Sequence, residues 1–364
     1  MPGHIFLTGF PGFIASQLID RIVAHDDSVT FTFLVQQHLL GAAEKSIERH
    51  DAAHAGLADR STLVVGDITQ PYLGMGEETY DEVCDRVTQV WHLAAVYDLA
   101  VPEAIAYKVN VIGTGNVLDL CEDAETLTRL DYISTCYVSG QRTGRILETE
   151  LDEGQRFKNH YESTKCWAEM EVRRRMHRIP TCIHRPAIVV GDSRTGHTDK
   201  YDGPYFVINL FMRLPSWLPM VNIGDGDVTV NIVPVNFVVD AMAAIGRNPA
   251  AIGKTVQLAD PNPHTAREIV ERVLEVLGMR RPLADLPAEL VERALSMRRL
   301  RQLVQVPKEA VVYFTHDVEY DTRNQQALLE GTGVQCPDFL EILPTLIDYV
   351  RRNPDKSFLD GRAI

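Results

Sequence analysis

The sequence predicts an α/β protein: a doubly wound parallel sheet followed by a smaller, mostly helical C-terminal lobe. Three observations carry this. A short apolar run, His4-Ile5-Phe6-Leu7, opens into Thr8-Gly9-Phe10-Pro11-Gly12-Phe13-Ile14-Ala15, after which Leu18, Ile19, Ile22 and Val23 recur at helical spacing. Strand-like runs then alternate with helical stretches as far as Val190. A segment without Gly or Pro, Asn159 to Arg173, places Tyr161 and Lys165 four residues apart on one helix face. Strand, glycine turn and helix in that order are the opening unit of a Rossmann fold.

Composition narrows the function classes. At 364 residues the chain can bury a full core. Its 45% hydrophobic and 24% charged content is ordinary for a globular protein. A formal net charge of −14 argues against a nucleic-acid surface, which needs a basic face. The most apolar stretch, Tyr205 to Ile223, is interrupted by Arg213, Pro215 and Pro219, so no spanning helix and no signal peptide are expected, and the expected location is cytoplasmic. The six cysteines show no CxxC or CxxH spacing, and no metal site is expected.

Each element then suggests a role. In the first turn Gly9 permits the bend, Gly12 lets backbone approach a pyrophosphate, and Ala15 lets the helix pack on the strand. The phosphates would lie at the helix N-terminus, where free N–H groups favour anions. Thr30 to Val35 is the second strand. NAD-selective sites carry an acid near its end, whereas this chain has Gln36-Gln37-His38, which favours NADP and leaves NAD open. Leu63 to Val65 is the third, with Asp67 and Ile68 at its tip, where Asp67 either accepts from an adenine amine or caps a turn. Val87 to Ala95 is the fourth, and its Ala94-Ala95 end offers small residues to a ribose or simply ends a buried strand.

A helix from Ala106 to Cys121 carries Asn110 between valines, either satisfying backbone or holding a water in a proton path. Leu130 to Val138 is the fifth strand. Its Thr135 stands at the carboxyl end, where open α/β sheets present ligand groups. Thr181 to Val190 is the next strand, whose Pro186 and Ile188 would form an apolar wall beside a nicotinamide. Tyr161 is the only one of twelve tyrosines with a lysine four residues on. A free phenol titrates near ~10, and a neighbouring ammonium would lower that value, suiting the tyrosine to protonate a carbonyl oxygen. A surface tyrosine beside a surface lysine is the plainer reading of the same spacing.

Taken together these residues resemble an extended short-chain dehydrogenase/reductase. The turn Thr-Gly-Phe-x-Gly-Phe-Ile-Ala, Trp91-His92-Leu93-Ala94-Ala95, Ile133-Ser134-Thr135-x-Tyr137-Val138 and Asn159-x-Tyr161-x-x-Thr164-Lys165-x-x-Ala168-Glu169 are most similar to the fatty acyl-CoA reductase and thioester reductase branch, the male-sterility-like NAD-binding proteins. The resemblance implies Thr135, Tyr161 and Lys165 as catalytic residues, Asn110 as relay, and Gly9, Gly12, Phe13 and Ile14 as the phosphate turn. It implies NAD(P)H as cofactor, an acyl thioester or derived aldehyde as substrate, a carrier protein as a partner, and a homodimer. Ketone reduction, nucleotide-sugar epimerisation and an NADP-sensing scaffold are the alternatives. The expected division is a cofactor domain over 1–190 with a return near 231–258, and a substrate lobe over 191–230 and 259–364. Tyr205 to Leu214 with Trp217, Leu218 and Met220 would line an acyl pocket or form the lobe's core, and a basic helix over Glu289 to Leu303 would be a solvated face or a carrier-docking face.

Overall fold

The computed structural model describes residues 3–98, 101–214, 221–223, 226–280, 284–286 and 316–354. Trp217, Leu218, Met220 and the expected basic helix lie outside the described residues. The sheet is built from β1 (His4–Thr8), β2 (Thr30–Val35), β3 (Ser61–Val65), β4 (Gln89–His92), β5 (Arg129–Ile133), β7 (Thr181–Pro186) and β11 (Thr255–Leu258). Their order is β11-β7-β5-β4-β1-β2-β3, and every neighbouring pair runs parallel. Three short parallel pairs accompany it: β6 (Gly144–Ile146) with β13 (Val318–Tyr320), β8 (Ile188–Val190) with β10 (Ile232–Pro234), and β9 (Val221–Ile223) with β12 (Ala284–Leu286). Chain order in the large sheet reverses between β1 and β4, the switch point at which such sheets bind ligands.

Parallel sheets are covered on both faces, which is why their strands are apolar runs rather than alternations. Ile5 and Leu7 join one buried cluster and Phe6 between them joins the other. The first face is covered by α1 (Phe13–His25), α2 (Leu40–Ala53) through Ala43, and α8 (Val235–Gly246). A Cβ on Gly246 would come within 2.6 Å of the Trp91 ring, so glycine lets α8 lie on that indole. The opposite face is covered by α3 (Glu77–Cys84), α5 (Gly113–Asp123) and α6 (His160–Arg175). A third cluster joins α7 (Pro204–Arg213), α9 (Ala266–Leu277) and α11 (Phe339–Arg352). Tyr205, Ile208 and Phe211 are buried within it, the packing role foreseen for that stretch.

Several expected boundaries shift, each for a local reason. The fourth strand covers only Gln89–His92, because beyond Leu93 the backbone turns to the β1 end, where Ala94 N–H donates to Thr8 Oγ1 at 3.2 Å. The fifth stops at Ile133, and Thr135 instead caps a 3₁₀ turn over Cys136–Ser139. Pro186 sits in an interior strand, where it is the final residue. After it the strand breaks, and β8 pairs separately with β10. The helix near Asn110 begins as α4 (Glu103–Ala106) and widens to π geometry over Tyr107–Ile112 before α5. Such a bulge is often found at functional sites. Part of the expected lobe packs elsewhere: Val318 and Tyr320 of β13, with Leu328 and Leu329 of α10 (Arg323–Leu329), join the cluster beneath α8.

Candidate active site

The glycine turn joins β1 to α1 at the switch point. Gly9 has φ +89°, and a Cβ there would stand 2.8 Å from Ala94 N, so only glycine fits. Gly12 is the N-cap of α1; its N–H donates to the Gly9 carbonyl at 2.8 Å. No side chain caps this helix and no acid occupies its first turn, so the N–H groups of Phe13 and Ile14 face a position suited to a phosphate. An uncapped thirteen-residue helix at a switch point fits a dinucleotide's pyrophosphate. We expect Gly9→Ala to abolish cofactor binding; a titration following cofactor fluorescence checks this, and wild-type affinity would show that the turn is not the phosphate site.

The other expected cofactor residues lie at or just beyond the carboxyl ends of several sheet strands. Ala94 and Ala95 are half-buried beside Gly9. Gln36 is exposed at the end of β2. Asp67 Oδ1 accepts from Thr69 N–H at 2.9 Å, closing a local turn, and Ile68 packs against the position of Gly113. Pro186 ends β7, and its carbonyl accepts from Thr135 Oγ1 at 3.4 Å; Ile188 begins the next strand, half-buried.

The expected catalytic side chains come from the end of β5, from α6 and from the π segment. Asn159 caps α6 by accepting from Glu162 N–H at 3.0 Å, and Glu162 in return accepts from Lys158 N–H at 2.9 Å, which fixes where the helix starts. Tyr161, Lys165 and Glu169 then follow at four-residue spacing. Burial raises the Tyr161 phenol above its ordinary value, and a hydrogen bond with Thr135 partly offsets this. Those two side chains therefore meet. Lys165 lies on the same face of α6, and its hydrogen bonds go to β5. Its Nζ donates to the Ile133 carbonyl at 2.7 Å and to Tyr132 Oη at 3.0 Å, because the end of β5 offers it two acceptors. Burial lowers its pKa to about 7, against the opposing pull of Glu169.

Asn110 is committed to the protein itself. Its Oδ1 accepts from Val96 N–H at 2.9 Å and its Nδ2 donates to Thr164 Oγ1 at 3.0 Å, tying the segment after β4 to α6. Glu169 is fully buried and accepts from Ser134 Oγ at 2.6 Å and from Arg185 Nη2 at 2.6 Å, while Arg173 Nε adds a bond at 3.0 Å.

Sequence reasoning missed Tyr97. Its ring stands edge-on to Tyr161 with centroids 5.4 Å apart, its hydroxyl donates to Asp202 at 2.9 Å, and Lys200 Nζ lies 3.6 Å over the ring. The Tyr97–Asp202 contact joins residues 105 positions apart, so no local pattern announces it. The groups Asp131, Cys182 and His184 have ligand-type atoms within 4.8 Å of one another. Arg129 takes both Asp131 oxygens, at 2.7 and 2.9 Å, and His184 Nε2 bonds the same carboxylate at 2.8 Å. A cation's place is thus already held by arginine. Arg129 also donates to the Ile245 and Asn248 carbonyls at the end of α8, so this group anchors that helix.

A parallel α/β sheet with a glycine turn at its switch point, and a tyrosine and a lysine on one face of α6, make up a Rossmann-like α/β fold with a candidate site at the carboxyl ends of its strands. The chain belongs to the male sterility protein family, an NAD-binding group whose profile matches residues 7–242. A linear gramicidin synthase from Brevibacillus parabrevis is 23% identical over 95% of this chain, which spans 7% of that protein. A putative fatty acyl-CoA reductase of Drosophila melanogaster is 24% identical over 67% of this chain, which spans 51% of it. Among solved structures, the terminal R domain of the myxalamid PKS-NRPS pathway is similar with TM-score 0.80 and 24% identity, over 99% of this chain and 92% of that one. UDP-glucuronic acid 4-epimerase of Bacillus cereus, in complex with NAD, is similar at TM-score 0.66 and 17% identity, over 99% and 100% of the two chains. Among the described residues no helix is long and apolar enough to cross a membrane.

Proposed function

We propose that this protein is an NAD(P)H-dependent reductase acting on the carbonyl of an acyl thioester or the derived aldehyde. The observation that carries the reading is the meeting of Thr135, just past the end of β5, with Tyr161 on α6, and Lys165 one helical turn further on. The nicotinamide, when bound, supplies the hydride. Thr135 and Tyr161 hold the carbonyl oxygen, and Tyr161 gives it the phenolic proton as the oxygen gains charge. Lys165 as an ammonium stabilises the phenolate left behind. With a thioester, the resulting thiohemiacetal expels its thiol and leaves an aldehyde. Gln36, in place of an acid, supports NADP over NAD. The similarity to peptide-synthetase and fatty acyl-CoA reductase proteins supports a thioester held by a carrier protein or by CoA.

Absorbance-monitored oxidation of NADPH and NADH against acyl-CoA thioesters, fatty aldehydes and cyclic ketones tests this. Turnover of thioesters supports it; turnover of ketones alone would move the protein to the carbonyl reductases. The epimerase reading rests on fold likeness, and tightly retained NAD without net turnover of added cofactor would favour it. Binding of NADP with no reaction on any substrate would favour a sensing scaffold.

The free protein's Lys165 also sets a pH expectation. Its ammonium persists below about 7 and is lost above it. Because the charged form supports the phenolate, kcat/KM should fall as pH rises through that value. A profile flat from pH 6 to 9 would show that the charge of Lys165 is not required.

A further inference from the structure

Five buried side chains form one continuous hydrogen-bonded chain behind the site: Thr8, His92, Thr114, Tyr132 and Lys165. They come from β1, β4, α5, β5 and α6, so the chain crosses the sheet beneath the switch point. Thr8 Oγ1 and His92 Nδ1 are 2.7 Å apart, and His92 Nε2 lies 3.0 Å from Thr114 Oγ1. Thr114 bonds the Tyr132 hydroxyl, and Lys165 Nζ donates to Tyr132 Oη at 3.0 Å while lying 4.6 Å from that ring's centroid.

One direction through the chain accounts for every contact in it. Ala94 N–H donates into Thr8 Oγ1, and in this direction the Thr8 hydroxyl proton goes to His92 Nδ1. The imidazole proton then sits on Nε2 and is given to Thr114, whose own hydroxyl proton goes to Tyr132. Burial and the nearby Lys165 charge hold the His92 pKa down at about 3, so the ring is neutral, as this route requires. Two donors, Thr114 and Lys165, thus converge on Tyr132 Oη. Such chains polarise one another, and inside a protein their bonds are stronger than in water.

We propose that Tyr132 is a positioning residue of the active site: its hydroxyl, set by the Thr8–His92–Thr114 chain, holds the Lys165 ammonium in place and tunes its charge. The inference rests on the reductase reading given above. It differs from the relay expected of Asn110, whose amide is spent on Val96 and Thr164. The groups facing Lys165 are few. Glu169 lies one turn on along α6, with its carboxylate held by Arg185 and Arg173. Tyr161 shares the α6 face, His92 faces it from β4, and Tyr132 from β5. Glu169 favours the charged amine, whereas burial opposes it. Tyr132 Oη accepts from the ammonium and so also favours the charged form, which has no other side-chain acceptor among these bonds.

Two substitutions give opposite signs. Tyr132→Phe removes the acceptor and keeps the ring, so the pH at which kcat/KM falls should move down by about one unit. Thr114→Val removes a hydroxyl dipole whose positive end points at Tyr132 Oη, so the same midpoint should move up by a few tenths of a unit. Circular dichroism and thermal unfolding establish that each variant folds; if Tyr132→Phe does not, Thr114→Val, which leaves both Tyr132 and Lys165 in place, still reads the chain. A side chain serving only the core would lower stability without moving the midpoint. Profiles that coincide with wild type in folded variants would overturn the proposal. Lys165→Met is the control for the reading beneath it: undiminished activity there would overturn the role of Lys165 itself, whatever the other two variants do.

Discussion

Replacing Tyr161 with phenylalanine should lower kcat/KM by about 10²–10⁴-fold, the range a positioned proton donor contributes, while leaving cofactor affinity close to wild type. The ring's edge-on packing with Tyr97 does not need the hydroxyl, so the ring keeps its place. What is lost is the phenol that meets Thr135. Tyr132 cannot take over, because it is fully buried behind Lys165 and burial raises its own pKa far above the ordinary value. Substrate reduction and cofactor binding should be measured on the same preparation. Full turnover by the phenylalanine variant would sink the proposed mechanism, and lost cofactor binding would mean that the hydroxyl's role lies in binding.

Arg185→Met should destabilise the fold by about 3–5 kcal/mol in urea unfolding, the usual cost of leaving a buried charge without its partner. Arg185 reaches Glu169 with two nitrogens, Nε at 3.0 Å and Nη2 at 2.6 Å, and neither residue is more than 1% exposed. Ser134 and the partly exposed Arg173 remain on Glu169 but cannot replace a bidentate guanidinium. Burial pushes the Glu169 carboxyl up, but pairing with Arg185 outweighs it and holds the group below its ordinary value. Its contribution is therefore present above the ordinary carboxylate pKa and is lost as pH falls through the depressed one. The gap between variant and wild type should accordingly narrow in acid. The double variant Arg185→Met, Glu169→Gln should cost less than the two single changes added together, because the orphaned charge is gone. A loss under ~1 kcal/mol for the single variant would show that the pair is not a determinant of stability. Activity should fall alongside stability, since Glu169 lies one turn beyond Lys165 and fixes how α6 seats on the sheet.

Much of the fold was legible because it depends on short-range rules. The opening strand, glycine turn and helix need only Gly9, Gly12 and the 3.6-residue spacing of Leu18, Ile19, Ile22 and Val23. The helix start at Asn159 is a local cap, and the shared face of Tyr161 and Lys165 follows from helical geometry alone. Strand ends were less legible. Leu130 to Val138 has the composition of one strand, yet Thr135 bonds the backbone of Tyr137 and turns the chain into a 3₁₀ segment.

The sequence by itself therefore determined the α/β class, the place of the glycine turn and which helix carries the tyrosine and lysine, because each of these is encoded within a few residues. Only the tertiary structure decided what those side chains touch. Lys165 points at Tyr132 and the Ile133 carbonyl, since burial makes an ammonium seek every acceptor within reach. Asn110 closes on Val96, and Tyr97 leans on Tyr161 while its hydroxyl is held by Asp202, a residue far along the chain. Hydrogen bonds between distant strands and helices leave no periodicity in a sequence, and they are what set the charge and direction of the groups at this site.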